Sequence, residues 1–390
     1  MKLGLMKQLF NLKLNYSPKY LPQLDGIRGI AVCFVILYHC FPCDLTRAGW
    51  MGVDLFFVLS GFLITGILID TRTEKKYYIN FIGRRVLRIF PLYYGVLLII
   101  FLLMFFFGRV FPVGSDYYLR HQSWFWLYFQ NWLYSRDGFP PNHMLVHFWT
   151  LGVEEQFYLL WPWVIRYIRP KYVLKVSIVL CVIAIGFRLL PLNIINLNET
   201  YRYMSTISRM DSLLIGAIIA ILIRNNTRLL EKVTVPICIG SFIIVLLGIM
   251  YFKSLSFLRL SPIFTFIDLF AGSILVISLS SFLRFQSFIA HPILIKLGKY
   301  SYGLYVYHYI IFVLLKHHLD NWLNYQFSNF YSRMIILGSL TILLAIPISI
   351  ISYHLFENKF LVLKKYFSYK HGVKKDVAVL SLDKIEEPQI

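Results

Sequence analysis

Charge is what this sequence has least of: only 15% of its 390 residues are Asp, Glu, Lys or Arg, against about 25% in soluble domains. Acid is scarcer still, 19 Asp and Glu facing 39 Lys and Arg. With 58% hydrophobic residues and a mean hydropathy of +0.64, the missing charge has to come out of long uncharged stretches, which excludes a soluble domain. Cysteine is also sparse. Cys33, Cys40, Cys43, Cys181 and Cys238 fall mostly inside apolar runs, where a thiol acts as a small apolar group, so no disulfide framework is expected. Cys40-Phe-Pro-Cys43 has redox spacing but lacks the βαβ setting that gives that spacing meaning. No secretory signal is present either, because residues 1–20 have no long apolar core and no small-residue cleavage site.

What is there is a series of apolar runs about 20 residues long, the length that crosses ~30 Å of hydrocarbon as a helix. Barrel strands alternate in polarity over about ten residues, and these runs do not, which leaves an all-α polytopic membrane bundle. Ten spans are predicted, at 27–43, 50–69, 89–108, 149–168, 173–190, 208–223, 234–252, 262–281, 296–315 and 334–356. The aromatic-rich segment 117–144 is read as interfacial or re-entrant. With both termini cytoplasmic, 28 of the 39 Lys and Arg fall on the inner side and 11 on the outer. This is the positive-inside pattern of a multi-pass protein of the cell inner (plasma) membrane, and it accounts for the net charge of +20 without nucleic acid as a partner. Three regions follow: a basic amphipathic arm at 1–20 on the anionic inner leaflet, the membrane domain at 21–358, and a basic, then acidic cytoplasmic tail at 359–390 expected to be unstructured.

Ionisable groups inside spans are costly, and they carry the functional signal. Arg28 and His39 are 11 residues apart, about 20° short of a whole number of helical turns and about 16.5 Å along the axis, so they share one helix face. His39 can be a general base or simply a hydrogen-bond donor to a neighbouring helix. Asp54 near the outer end of the second span can orient that imidazole, or it can serve the helix dipole. Arg85 and Arg88 lie three apart on one face beside Arg84, a spacing that suits phosphate and also suits an ordinary positive-inside flank. The fourth span opens with His147 and carries Glu154, Glu155 and Gln156, which read as the lining of a wet cavity, His147 and Glu154 facing the same way. Arg209 and Asp211 suggest an ion pair, and His308 a structural donor. The arginines mark the inner mouth, while His39, Asp54 and Glu154 lie toward the outer half. A ligand with phosphates at one end and a reactive group about 15–20 Å away fits that separation. Acyl-coenzyme A has this shape, and the chemistry it implies is acyl transfer.

In their order these residues resemble the integral-membrane acyltransferase family 3, which includes O-antigen, exopolysaccharide and Nod-factor O-acetyltransferases and macrolide acyltransferases. The resemblance runs from about Leu21 to Phe360. It is carried by Leu24-Asp-Gly-Ile-Arg28 with His39, Gly52-Val-Asp54 through Ser60-Gly61-Phe62, Arg84-Arg85-Val-Leu-Arg88-Ile-Phe-Pro91 and Gln130-Asn131-Trp132. Val153-Glu154-Glu155-Gln156 through Trp161-Pro162, Arg209-Met-Asp211 and Tyr305-Val-Tyr-His308 complete it. The resemblance implies ten spans, a cytoplasmic acyl-CoA donor with acetyl-CoA first, no metal, His39 as the catalytic histidine with Arg28 its motif partner, and Arg85 and Arg88 as the donor-binding pair. Arg84 is grouped with that pair; Asp54 and Glu154 are expected beside His39 in catalysis. Glu155, Gln156, Asn131, Trp132, Arg209, Asp211 and His308 are expected to bind substrate. The expected partners are acyl-CoA, membrane lipids and a cell-surface or lipid-linked carbohydrate whose hydroxyl takes the acyl group. About 30 residues follow the resemblance, so any second catalytic step is expected to come from another protein. The rival readings are a transporter or flippase for a lipid-linked sugar, weakened by the absence of inverted repeats, and a non-catalytic membrane subunit.

Overall fold

A computed structural model describes residues 14, 21–44, 46–190, 198–252, 261–280 and 283–369. A helix stands at every one of the ten predicted spans: α1 (Pro22–Cys40), α2 (Gly52–Asp70), α3 (Tyr77–Phe107), α4 (Trp149–Tyr167), α5 (Pro170–Leu189), α6 (Thr206–Asn225), α7 (Thr227–Phe252), α8 (Phe264–Ser278), α9 (Ser301–Gln326) and α10 (Phe330–Ser352). No strand occurs among the described residues beyond one isolated bridge, Leu14 to Ser280. Eight helical segments are long and apolar enough to cross a membrane, and α4 and α9 are not among them. The reason is compositional: α4 carries Glu154, Glu155 and Gln156, and α9 carries His308, Lys316, His317, His318 and Asp320. Large apolar side chains point outward from the bundle, among them Leu98, Ile99, Phe105 and Phe106 on α3 and Phe242, Leu246 and Leu247 on α7. Such a surface is what a bundle presents to hydrocarbon, where helices satisfy their backbone internally and need no polar exterior.

The core of the bundle is the pair α2 and α6, which run parallel and touch backbone to backbone. A Cβ on Gly61 would sit 1.8 Å from the Leu213 carbonyl oxygen, and one on Gly216 would sit 1.9 Å from that of Val58. Small residues permit this approach, and without a hydrophobic driving force in lipid such close packing is what holds helices together. Ion pairs close both ends of the contact. Arg209 of α6 bonds Asp54 of α2, with both side chains fully buried, and Arg224 grips Asp70 through two bonds of 2.6 and 2.8 Å.

Three features differ from the sequence expectation. α3 begins twelve residues before its predicted span and at 31 residues is about 46 Å long, so Arg84, Arg85 and Arg88 lie on a helix that outruns the hydrocarbon. The segment 117–144 folds into short helices with Tyr118, Phe125, Gln130, Asn131 and Tyr134 buried, so its aromatics are packing groups as well as surface ones. The beginning of the tail expected to be unstructured is helical, as Asn358–Leu361 and Val362–Phe367, because its backbone docks on α3: Arg84 donates to the Lys364 carbonyl and Asn80 to that of Ser368. The expected N-terminal arm lies outside the described residues save Leu14, whose N–H donates to Glu231. The tail beyond residue 369 lies outside them too.

Candidate active site: two chambers that share a wall

The polar side chains of the bundle gather around two cavities. The first, of about 110 Å³, lies among α1, α2, α3, α4 and α9 and is faced by Arg28, Arg85, Arg88, Glu154, Ser60 and Tyr158. Arg28 holds Asp25 at 2.7 Å. Among the described residues Arg85 and Arg88 make no hydrogen bond and no ion pair; Arg85 rests its guanidinium over the Phe81 and Tyr158 rings at 6.0 and 5.6 Å. The two guanidiniums bond no carboxylate directly, so their planar donors stay open to the cavity, and Glu154 is the carboxylate that shares it with them. Glu154 lies against the Ser60 and Tyr158 hydroxyls, which bond each other. The sequence signal for Tyr158 was its four-residue spacing from Glu154 on one helix face.

The second cavity, of about 210 Å³, holds His39, His143 and His147 with a rim of aromatics, Tyr38, Trp50, Trp149, Tyr203 and Tyr309. Hydrogen bonds assign the tautomers here. His308 Nδ1 lies 2.9 Å from the Leu304 carbonyl, which can only accept, so Nδ1 carries the proton and Nε2 is left as an acceptor. His39 Nδ1 lies 2.9 Å from that Nε2 and donates to it. The proton order along the chain therefore leaves Nε2 of His39 with its lone pair, and the ring is clamped by stacking on Tyr309 at 4.2 Å. His147 donates through Nε2 to the Val306 carbonyl at 3.2 Å. His143, in the loop before α4, is held below its ordinary range by burial and then by Lys316, so it too is neutral at pH 7. The second chamber thus contains imidazoles and no arginine.

Among the described residues only Val53 and Tyr305 face both chambers. The Tyr305 hydroxyl donates to the His147 carbonyl at 2.5 Å and accepts from Thr150 at 2.6 Å, which ties α9 to the start of α4 at the boundary between the two spaces. Neither Val53 nor Tyr305 stood out in the sequence as a site residue, since one is an ordinary apolar residue and the other one of 27 tyrosines.

The expected site residues divide accordingly. Arg28, Arg85, Arg88 and Glu154 line the first chamber and His39 the second, with His308 directly behind it. Arg84 turns away to the Lys364 carbonyl. His39 takes its orientation from His308, and neither Asp54 nor Glu154 supplies it: Asp54 is engaged by Arg209, and Glu154 opens onto the other chamber. Arg209 and Asp211 do form ion pairs, but not with each other. Asp211 receives Arg188 at 2.5 Å and Thr265 at 2.7 Å, all inside the bundle. Gln156 donates to the Tyr128 carbonyl and to Asn131, Trp132 donates to Gln156, and Asn131 donates to Thr206 and to the Met204 carbonyl. These bonds occupy the groups that were expected to meet substrate, and none of the three residues faces either chamber. The network braces Tyr128, the one non-glycine at positive φ among the described residues, whose strained backbone oxygen it holds. Glu155 faces neither chamber, standing instead near Tyr94, Tyr128 and Tyr302.

The candidate site of this helical membrane bundle is thus a pair of chambers, arginines lining one and an imidazole with an open Nε2 the other, with one tyrosine and one valine facing both. The chain is a member of the integral-membrane acyltransferase family 3, whose acyltransferase-domain profile matches residues 21–354. It is 32% identical over 330 residues to the O-acetyltransferase OatA of Staphylococcus aureus (strain NCTC 8325 / PS 47), a match covering 79% of this chain and 53% of that one. It is 30% identical over 328 residues to the peptidoglycan O-acetyltransferase OatA of Listeria monocytogenes serovar 1/2a, covering 77% and 50%. The chain spans about half the length of these curated relatives. No solved structure matches it.

Proposed function

We propose that the chain is a membrane O-acyltransferase that takes an acyl group, acetyl first, from cytoplasmic acyl-CoA and places it on a hydroxyl of a cell-surface or lipid-linked carbohydrate. The observation that carries this reading is the meeting of an unpaired-arginine chamber with a chamber whose histidine has a bare, oriented Nε2. The names of the two relatives support acetyl as the acyl group and a glycan as the acceptor. Arg85 and Arg88, with Arg28 beside them, hold the donor's phosphates from the inner face, and the thioester end reaches toward His39.

In the transfer step His39 Nε2 removes the proton of the acceptor hydroxyl as its oxygen attacks the thioester carbonyl carbon. The new C–O bond forms, the C–S bond breaks, and the departing thiolate takes the proton from the imidazolium, which leaves the ester, free CoA thiol and neutral His39. His308 is a positioning residue: through Leu304 it fixes which nitrogen of His39 carries the proton before the reaction, and it accepts the Nδ1–H while the ring is charged. The resident carboxylates Asp54 and Asp211 serve the bundle, each bonded to an arginine.

The test is mass spectrometry of surface glycans from cells expressing the wild type or His39→Ala at matched membrane levels. An acetyl increment with the wild type alone is the expected result. The same increment in both removes His39 from the mechanism, and none in either, together with no release of CoA thiol, turns the assignment toward a transporter.

A further inference from the structure

We propose that Val53 and Tyr305 form a septum that sets the largest acyl group this protein transfers. The inference rests on the acyl-CoA reading above and adds what selects the donor. The arginines and His39 lie in different chambers, so a donor gripped at Arg85 and Arg88 has to pass its acyl end from one to the other. Val53 and Tyr305 are the two described residues that face both chambers, and the proposal puts the path of the acyl group between them.

Both sides of that passage are stiff. Val53 is β-branched, with one strongly preferred rotamer in a helix, and it precedes Asp54, which the buried Arg209 pins to α6. The Tyr305 ring is held at its hydroxyl by the His147 carbonyl and Thr150, and along its body by the rings of His147 at 5.5 Å and His308 at 5.9 Å. A ring tied at both ends cannot swing aside for each donor. The passage therefore acts as a gauge. An acetyl group adds one methyl beyond the carbonyl, and each further methylene has to be accommodated by a wall that does not yield. Overpacking such a wall is unfavourable, so the discrimination per added carbon is expected to be about tenfold.

The experiment offers acetyl-CoA, propionyl-CoA and butyryl-CoA to membranes containing the full-length chain and reads each acyl increment on the surface glycans by mass spectrometry. Val53→Ala is expected to raise the butyryl-to-acetyl ratio about tenfold, and Val53→Leu to lower the propionyl-to-acetyl ratio. Tyr305→Phe keeps the ring, frees its hydroxyl anchor and is expected to broaden the profile by a smaller factor. Because each variant is read as a ratio within itself, poor folding scales all three donors together and does not imitate the effect. Variants whose three rates fall in parallel overturn the septum while leaving the acyl-CoA reading standing, and so does a wild type that uses all three donors equally. A wild type that transfers from none of them overturns both.

Discussion

The buried and half-buried arginines of this protein differ in what they hold, and Arg28, which faces a cavity and holds Asp25, stands between the extremes. Arg188, Arg209 and Arg224 each hold an aspartate, at Asp211, Asp54 and Asp70, and tie α6 to its neighbours α5 and α2. Arg85 and Arg88, on α3, hold none and face a cavity. A guanidinium in a membrane interior needs a counter-charge, and where the chain supplies it the arginine is architecture. Arg85 and Arg88 bond no carboxylate, although Glu154 faces the same cavity, and their donors are left open there. The histidine chamber and the arginine chamber differ likewise: arginines line one, and imidazoles, with no arginine among the described lining residues, line the other.

Substitutions can break or sharpen this contrast. The largest effect is expected for His39→Gln, which removes the base: acyl transfer should fall by about 10² to 10⁴-fold, the range of general-base catalysis, with no loss of thermal stability in detergent. Next comes the architectural pair. Asp54→Ala removes the bonded partner of the buried Arg209, leaving it only the more distant Asp268 and Asp211, and should destabilise the protein by up to about 3–5 kcal/mol in thermal or denaturant unfolding. Replacing both, as Asp54→Leu with Arg209→Met, is expected to restore most of that loss in the same unfolding measurement. His308→Leu takes away the acceptor behind His39 and should cost about 10²-fold in transfer, whereas His308→Gln, which can still accept from Nδ1–H, should recover part of it. The smallest effect is expected for Arg85→Lys, which keeps the charge and loses the fork: the KM for acyl-CoA should rise up to about tenfold with kcat little changed.

How much of this was legible in the sequence follows the range of the interactions. Helix α6 was set by local pattern, an apolar run behind Arg209 and Asp211, and it stands where the hydropathy put it. The start of α3 fell outside the predicted span because Arg84, Arg85 and Arg88 interrupt its apolar run, although the arginines were placed on one helical face; the tail at Lys364 and Ser368 docks on this stretch. Among site residues, the face shared by Arg28 and His39 came from helical geometry alone, and the two do open on successive chambers. The partners could not be read. Asp54 meets Arg209 across 155 positions and His39 meets His308 across 269, and pairings at that separation depend on which helices pack side by side. Asn131, Trp132 and Gln156 were expected to bind substrate because they stand in stretches that carry the family resemblance; here they bind one another and hold the turn at Tyr128.

The most direct test of a division between a charge-binding chamber and a base-bearing one is a donor titration of two variants, Arg88→Ala and His39→Ala, in membranes with acetyl-CoA, reading CoA thiol release. The expected result is a split: Arg88→Ala raises KM about tenfold or more with kcat within a few-fold of wild type, and His39→Ala lowers kcat at least about 10²-fold with KM unchanged. If both variants lowered kcat alone, or both raised KM alone, the two chambers would not be separate in function and the account would fail.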